Sequence, residues 1–132
     1  MKSYKIAAVS LSTTMVACAD PIIGDWDGKT ITQEDTRMDL PYELCSEYEG
    51  EETDCYTIDL FMSFDEDKIG VLDLTTSGME LEGNMLPLES SQGYKYAVSI
   101  LGNEINLSCE ITNGILECDF DGAFTAELEK VQ

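Results

Sequence analysis

The sequence predicts an all-β domain, an antiparallel up-and-down meander closing into a small barrel, with a two-sheet sandwich as the alternative. Three observations predict it. Apolar and polar residues alternate over most of the chain beyond residue 22, the period of a half-buried strand. Turn dipeptides, Gly102-Asn103 and Asn113-Gly114 among them, interrupt the alternation at short intervals. No segment sustains a helical period.

Residues 1–17 stand apart from this pattern. Lys2 and Lys5 are the only charges before Asp20, and "IAAVSLSTTMVA" follows them. That run is much shorter than the roughly 20 residues a bilayer-spanning helix needs. A short basic start, a short apolar stretch and small residues at its end predict a secretory signal peptide. Met15-Val16-Ala17-Cys18 resembles the bacterial lipobox, in which a small residue precedes a cysteine that becomes diacylated. The resemblance implies an acyl (palmitate-type) lipid anchor on Cys18. Ordinary cleavage after Ala17-Cys18-Ala19, an A-x-A site, is the alternative. Three segments follow: a lipoprotein-type signal peptide at 1–17, a short anchor and linker at 18–22, and the barrel domain at 23–132. Gram-negative lipoproteins are similar, and the similarity implies export across the inner membrane and anchoring at the outer membrane, because Ala19 rather than Asp follows the cysteine. Ordinary cleavage would leave a soluble periplasmic or extracellular protein.

The first strand of the domain lies in "IIGDWDGKTI". Between Cys45 and Cys55 comes "SEYEGEETD", polar with Gly50 at its centre, which reads as an exposed hairpin tip or Ω-like loop closed by a disulfide. Tyr56, Ile58, Leu60, Met62 and Phe64 then share one strand face. "DEDK" at 65–68 is a turn, and the return strand changes phase between Ile69/Val71 and Leu72/Leu74, which a bulge at Gly70 would reconcile. "MELEGNMLPL" reads as strand, Gly83-Asn84 turn and strand limited by Pro87.

Residues 94–120 allow a register to be counted. A Gly102-Asn103 loop places Ile100 opposite Ile105, Val98 opposite Leu107 and Tyr96 opposite Cys109. An Asn113-Gly114 loop places Ile111 opposite Leu116 and Cys109 opposite Cys118. The large apolar residues then share one face, and a slip of one residue would scatter them. Counting outward from the second loop makes Cys109/Cys118 a non-hydrogen-bonded pair, whose side chains approach closely enough for a cross-strand disulfide. Cys45 and Cys55 remain as the second pair. A three-residue loop over 121–123 sets Phe120 opposite Phe124, with Ala126 and Leu128 following inward.

Gly24-Asp25-Trp26 in the first strand resembles the Gly-x-Trp start of lipocalins and their relatives, the calycins. Secreted bacterial lipoproteins with a lipocalin-like domain are similar over 15–132: lipobox, short acidic linker, "I-x-G-x-W", then a meander. The resemblance implies a lipocalin-like barrel in which Trp26 plugs the closed end and Gly24 permits close packing there. The C-terminal "EKVQ" has no arginine where lipocalins carry their barrel-closing one.

Composition narrows function. Lys+Arg total 7 against 27 Asp+Glu, a net charge of -20, and there is no histidine. Nucleic acid is disfavoured as a partner, because neutralising phosphate needs a basic face. A Ser-His or Cys-His nucleophile cannot be built, and neither a phosphate loop nor a dinucleotide fingerprint occurs. We therefore expect no enzyme, no catalytic residue and no cofactor. Metal is not expected either: the four later cysteines lack zinc-ribbon spacing, and Asp65-Glu66-Asp67-Lys68-Ile69-Gly70 departs from a calcium loop at Ile69 and Thr76. The expected function is that of a non-enzymatic cell-envelope lipoprotein, a membrane partner through its lipid anchor. A small apolar ligand could be lined by Tyr94, Tyr96, Met62, Met79 and Met85, although inward residues of small barrels usually fill the core. The alternatives are an acidic interaction or inhibitor module for a cationic protein, for which small acidic barrels among periplasmic lysozyme inhibitors are an analogy without a shared motif, and a purely structural envelope protein.

Overall fold

The structure is a computed structural model describing residues 20–131 except positions 77 and 91. Its ten strands are β1 (Gly24–Gln33), β2 (Thr36–Asp39), β3 (Tyr42–Tyr48), β4 (Glu51–Phe64), β5 (Gly70–Thr76), β6 (Met79–Leu88), β7 (Tyr94–Ile100), β8 (Asn103–Thr112), β9 (Ile115–Phe120) and β10 (Thr125–Lys130). Every ladder is antiparallel. From β4 to β10 each strand pairs with the next, β10 pairs with β1, and β1 pairs with β4. That last ladder closes eight strands into a barrel, with β2 and β3 as two extra strands. Closure leaves the barrel strands without an open edge to recruit another chain.

The seam between β1 and β4 explains the extra strands. Gly24–Asp27 pair with Phe61–Phe64, and there the two strands part. A register shift between Gly28 and Thr30 bends β1. Beyond it β1 pairs with β2, and the outer part of β4 pairs with β3. A cis Leu40-Pro41 peptide joins β2 to β3, and the Leu40 amide donates to the Lys29 carbonyl at 2.8 Å. Met38, Leu40 and Ile58 pack at this split against the central core.

Period-two alternation puts Leu60, Met62, Phe64, Leu72, Met85, Tyr96, Val98, Leu107, Leu116, Phe120 and Leu128 inside, all buried. The second hairpin follows the counted register: Ile111 faces Leu116 and Cys109 faces Cys118 across Asn113-Gly114. Phe120 and Phe124 stack at 4.4 Å across the loop after β9, where the Phe120 amide donates to the Phe124 carbonyl. Both disulfides join directly opposed cysteines, Cys45 to Cys55 and Cys109 to Cys118, each with Cα atoms 4.0 Å apart.

Three local expectations are corrected. The β7–β8 turn is Leu101-Gly102, not Gly102-Asn103, so Val98 faces Ile105, Tyr96 faces Leu107 and Tyr94 faces Cys109. The register moves by two, and every side chain keeps its face. Glycine occupies the second turn position here, as at Glu49-Gly50 and Asn113-Gly114, and both central residues have positive φ in each case. There is no bulge at Gly70: β4 and β5 pair without a shift, and Ile69 and Val71 point outward and are exposed. Gly83-Asn84 is not a turn, because β6 runs through it and the chain reverses instead between Thr76 and Met79, next to Gly78. Gly70 and Gly83 are glycines for lack of room rather than for an unusual φ. A Cβ on Gly83 would lie 2.6 Å from Ile100 Cγ1, and one on Gly70 would lie 2.6 Å from Met85 Cε.

Candidate functional site

Three places could carry function: the interior, the end of the barrel where β1 begins, and the outer face of β8, β9 and β10.

The interior is occupied. Met62 and Met85 are fully buried, Tyr96 is 1% exposed, and all three belong to the continuous core. Tyr94 is half-buried at the rim and packs against that core. Met79, expected as a lining residue, lies at the opposite rim and is 52% exposed. It begins β6 beside the turn, paired with Thr76 of β5 but beyond the β6–β7 ladder, which covers Asn84–Leu88. The inward glycines make the same point. Leu60 stands where a Cβ of Gly28 would be, Phe64 and Met85 where one of Gly70 would be, and Ile100 where one of Gly83 would be. Atoms of adjacent strands, the Leu60 backbone among them, have already claimed those places, as close packing demands.

The end of the barrel where β1 begins is locked by residues far apart in sequence. Trp26 is 2% exposed and donates its indole N–H to the Ile22 carbonyl at 2.8 Å, so its one polar atom is satisfied on burial. Lys130, opposite Trp26 in the β1–β10 ladder, lays its ammonium 5.4 Å from the ring centroid, within cation–π range. The same ammonium donates to the Pro21 carbonyl at 3.0 Å. Gly24, at φ 126, leaves room for the lysine stem, since a Cβ would meet Lys130 Cε at 2.8 Å. A lysine thus crosses the tryptophan at the place where the sequence offered no arginine. Lys130 was not legible in advance, because its partner was decided by barrel closure.

Asp20 completes this end. Its carboxylate accepts hydrogen bonds from the Tyr94 hydroxyl at 2.5 Å and the Ile22 amide at 3.2 Å, and pairs with Lys68 at 3.8 Å. Partial burial opposes its ionisation. The Tyr94 and Ile22 bonds and the Lys68 charge outweigh that, so the carboxyl ionises below its ordinary range. Burial and the bond to Asp20 push Tyr94 up to about 12. Tyr96 is raised as well, by burial first and then by the Asp20 charge, and its hydroxyl donates to the Lys68 carbonyl at 2.8 Å. A concavity of about 720 Å³ opens here between Asp20, Lys68, Leu88 and Tyr94.

On the outer face, strand register builds an acidic row. Glu110 lies opposite Glu117, Glu117 opposite Glu127, and Glu127 opposite Thr30, whose hydroxyl donates to Glu127 Oε1 at 3.1 Å. Like charges directly opposed in a sheet destabilise it, so water or a cationic partner must offset them. The row lies in a groove of about 630 Å³ that reaches Arg37 and Lys95.

No protein-family model, curated protein or solved structure matches the chain.

Glu43, Cys45 and Cys55 bring potential metal-ligand atoms within 4.8 Å of one another. Both sulfurs belong to a disulfide, however, and offer no thiolate. The 65–69 segment uses its first carboxylate to build the turn, with Asp65 Oδ1 accepting the amides of Asp67 at 2.8 Å and Ile69 at 3.0 Å. Cys18, the expected lipid anchor, lies outside the described residues, and no described helix is long and apolar enough to cross a membrane.

Proposed function

We propose that this protein is a non-enzymatic, lipid-anchored cell-envelope barrel of lipocalin-like type. It meets partners with its acidic outer surface rather than with an interior cavity. The observation that carries this reading is the occupied interior: Met62, Met85 and Tyr96, which could have lined an apolar site, instead fill it, and even the Cβ places of inward glycines are taken. What is left to contact another molecule is the outside, where Glu110, Glu117 and Glu127 stand side by side. A surface with net charge -20 attracts cationic proteins and accelerates their approach at low salt. The lipocalin-like reading is supported by the closed meander and by the Gly24, Trp26 and Lys130 lock; anchoring is supported by the Met15–Cys18 motif.

The test has two arms. A fatty acid and an apolar fluorophore are titrated into the purified protein, and saturable binding with roughly one site overturns the proposal in favour of a small-ligand carrier. A basic protein such as lysozyme is titrated by calorimetry at low and moderate salt. Binding that weakens with salt, and weakens at least about fivefold in a Glu110→Gln, Glu117→Gln, Glu127→Gln variant, is expected. Equal binding by the variant and the parent removes the acidic row from the account.

A further inference from the structure

We propose that the barrel rests against the membrane on an apolar patch formed by Ile69, Val71, Leu86 and Leu88. This rests on the lipid-anchor reading of Cys18. The four residues are 42%, 37%, 56% and 47% exposed, and strand register brings them together. Gly70 pairs with Met85 and both point inward, so Ile69, Val71 and Leu86 point outward beside them on adjacent strands. Leu88 follows two residues further along β6, opposite Lys95. Isolated exposed apolar residues need no explanation, but a contiguous group marks a contact surface.

The occupant follows from where the chain is tethered. Only Ala19 separates Cys18 from Asp20. Two Cα steps reach at most about 7 Å, so a lipid on Cys18 enters the bilayer close to Asp20. Asp20 itself is held to the barrel by Tyr94, by Lys68 and by its own turn, in which the Ile23 amide donates to the Asp20 carbonyl at 3.0 Å. It lies at the patch: Lys68, its ion-pair partner, directly precedes Ile69, and Leu88 lines the same concavity as Asp20. An anchor this short gives the barrel little freedom to stand away from the bilayer, and the surface beside the anchor is the apolar one. Lys68, Glu89, Lys95 and Glu110 line the concavity that Leu88 shares with Asp20. The nearby charge is mixed, so the contact is apolar and does not require anionic lipid.

The full chain, expressed with its own leader, is purified and reconstituted into phosphatidylcholine vesicles containing brominated acyl chains. Intact mass establishes whether Cys18 carries acyl groups. A chain without them overturns the anchor reading, and with it this proposal, before any vesicle is made. For acylated protein, Leu86→Trp reports the patch and Leu101→Trp reports the opposite end, where Leu101 is 74% exposed. Both are compared with the parent, whose single Trp26 is buried. Bromine is expected to quench the added fluorescence at 86 at least about twofold and to leave that at 101 unchanged. Equal quenching at both sites, or none at 86, overturns the patch while leaving the anchor intact. A further variant, Ile69→Ser with Leu88→Ser, should reduce quenching at 86 while keeping a cooperative unfolding transition, because both residues lie outside the buried core.

Discussion

Gly28 and Gly70 both face inward, against neighbours of different rigidity. The Cβ of an alanine at 28 would lie 2.7 Å from the Leu60 carbonyl oxygen, a backbone atom that cannot step aside. At 70 its nearest neighbour would be the flexible end of Met85, with the Phe64 ring behind it. Overpacking costs about 1–3 kcal/mol, so Gly28→Ala should fall at the high end of that range and Gly70→Ala at the low end, as read by urea unfolding. The Asp20–Tyr94 pair makes a second prediction. Asp20 has a depressed folded pKa, so its contribution is present above the ordinary aspartate range and fades as pH falls through the folded value. Tyr94 is raised to about 12, so its contribution is complete below the ordinary tyrosine value of about 10 and fades as pH climbs from there toward 12. Tyr94→Phe should raise the Asp20 titration midpoint followed by carboxyl NMR. Because the bond is only partly buried, the loss of stability should be about 1 kcal/mol.

The strands show which local signals carried. Around Asn113-Gly114, alternation and turn chemistry agreed, and the pairing of Cys109 with Cys118 could be counted from the sequence. Leu101-Gly102 was missed because leucine is a poor residue for positive φ; the glycine alone marked the turn, and the error of two residues left both faces intact. Gly83 misled because a glycine in an alternating run signals either a turn or a close approach, and only Ile100 on the neighbouring strand shows which. The two disulfides close loops of nearly equal span, with separations of 10 and 9, worth about 2–3 kcal/mol each on loop entropy alone. Their placement separates them. Cys109–Cys118 is buried in the barrel wall, whereas Cys45–Cys55 staples the ribbon of β3 and β4 beyond the closed seam. Cys109→Ala with Cys118→Ala should lower the global unfolding midpoint. Cys45→Ala with Cys55→Ala should leave it nearly unchanged while making the 42–58 ribbon sensitive to protease.

At the scale of the whole molecule, charge opposes compactness. A net charge of -20 on a 14.6 kDa chain repels itself, and register aggravates this by aligning Glu110, Glu117 and Glu127 across three strands. Salt screens such exposed charges over a distance of about 10 Å at 0.1 M. Raising sodium chloride from 0.02 to about 0.5 M should therefore raise the melting temperature by several degrees, with most of the gain below about 0.2 M. The Glu110→Gln, Glu117→Gln, Glu127→Gln variant should start higher at low salt and gain less. A flat response in the parent would mean that the acidic face costs the fold nothing.

By itself the sequence determined the all-β class, the inward face of most strands and the partner of each disulfide-bonded cysteine. These follow from a period of two and from turns whose residues are adjacent in the chain. Only the tertiary structure decided which strands close the barrel, that β1 and β4 part to admit β2 and β3, that Lys130 crosses Trp26, and that Met62, Met85 and Tyr96 fill the interior. Each of those depends on residues tens of positions apart meeting across a closed wall, where the space a side chain finds is set by the strand opposite and not by its neighbours in sequence.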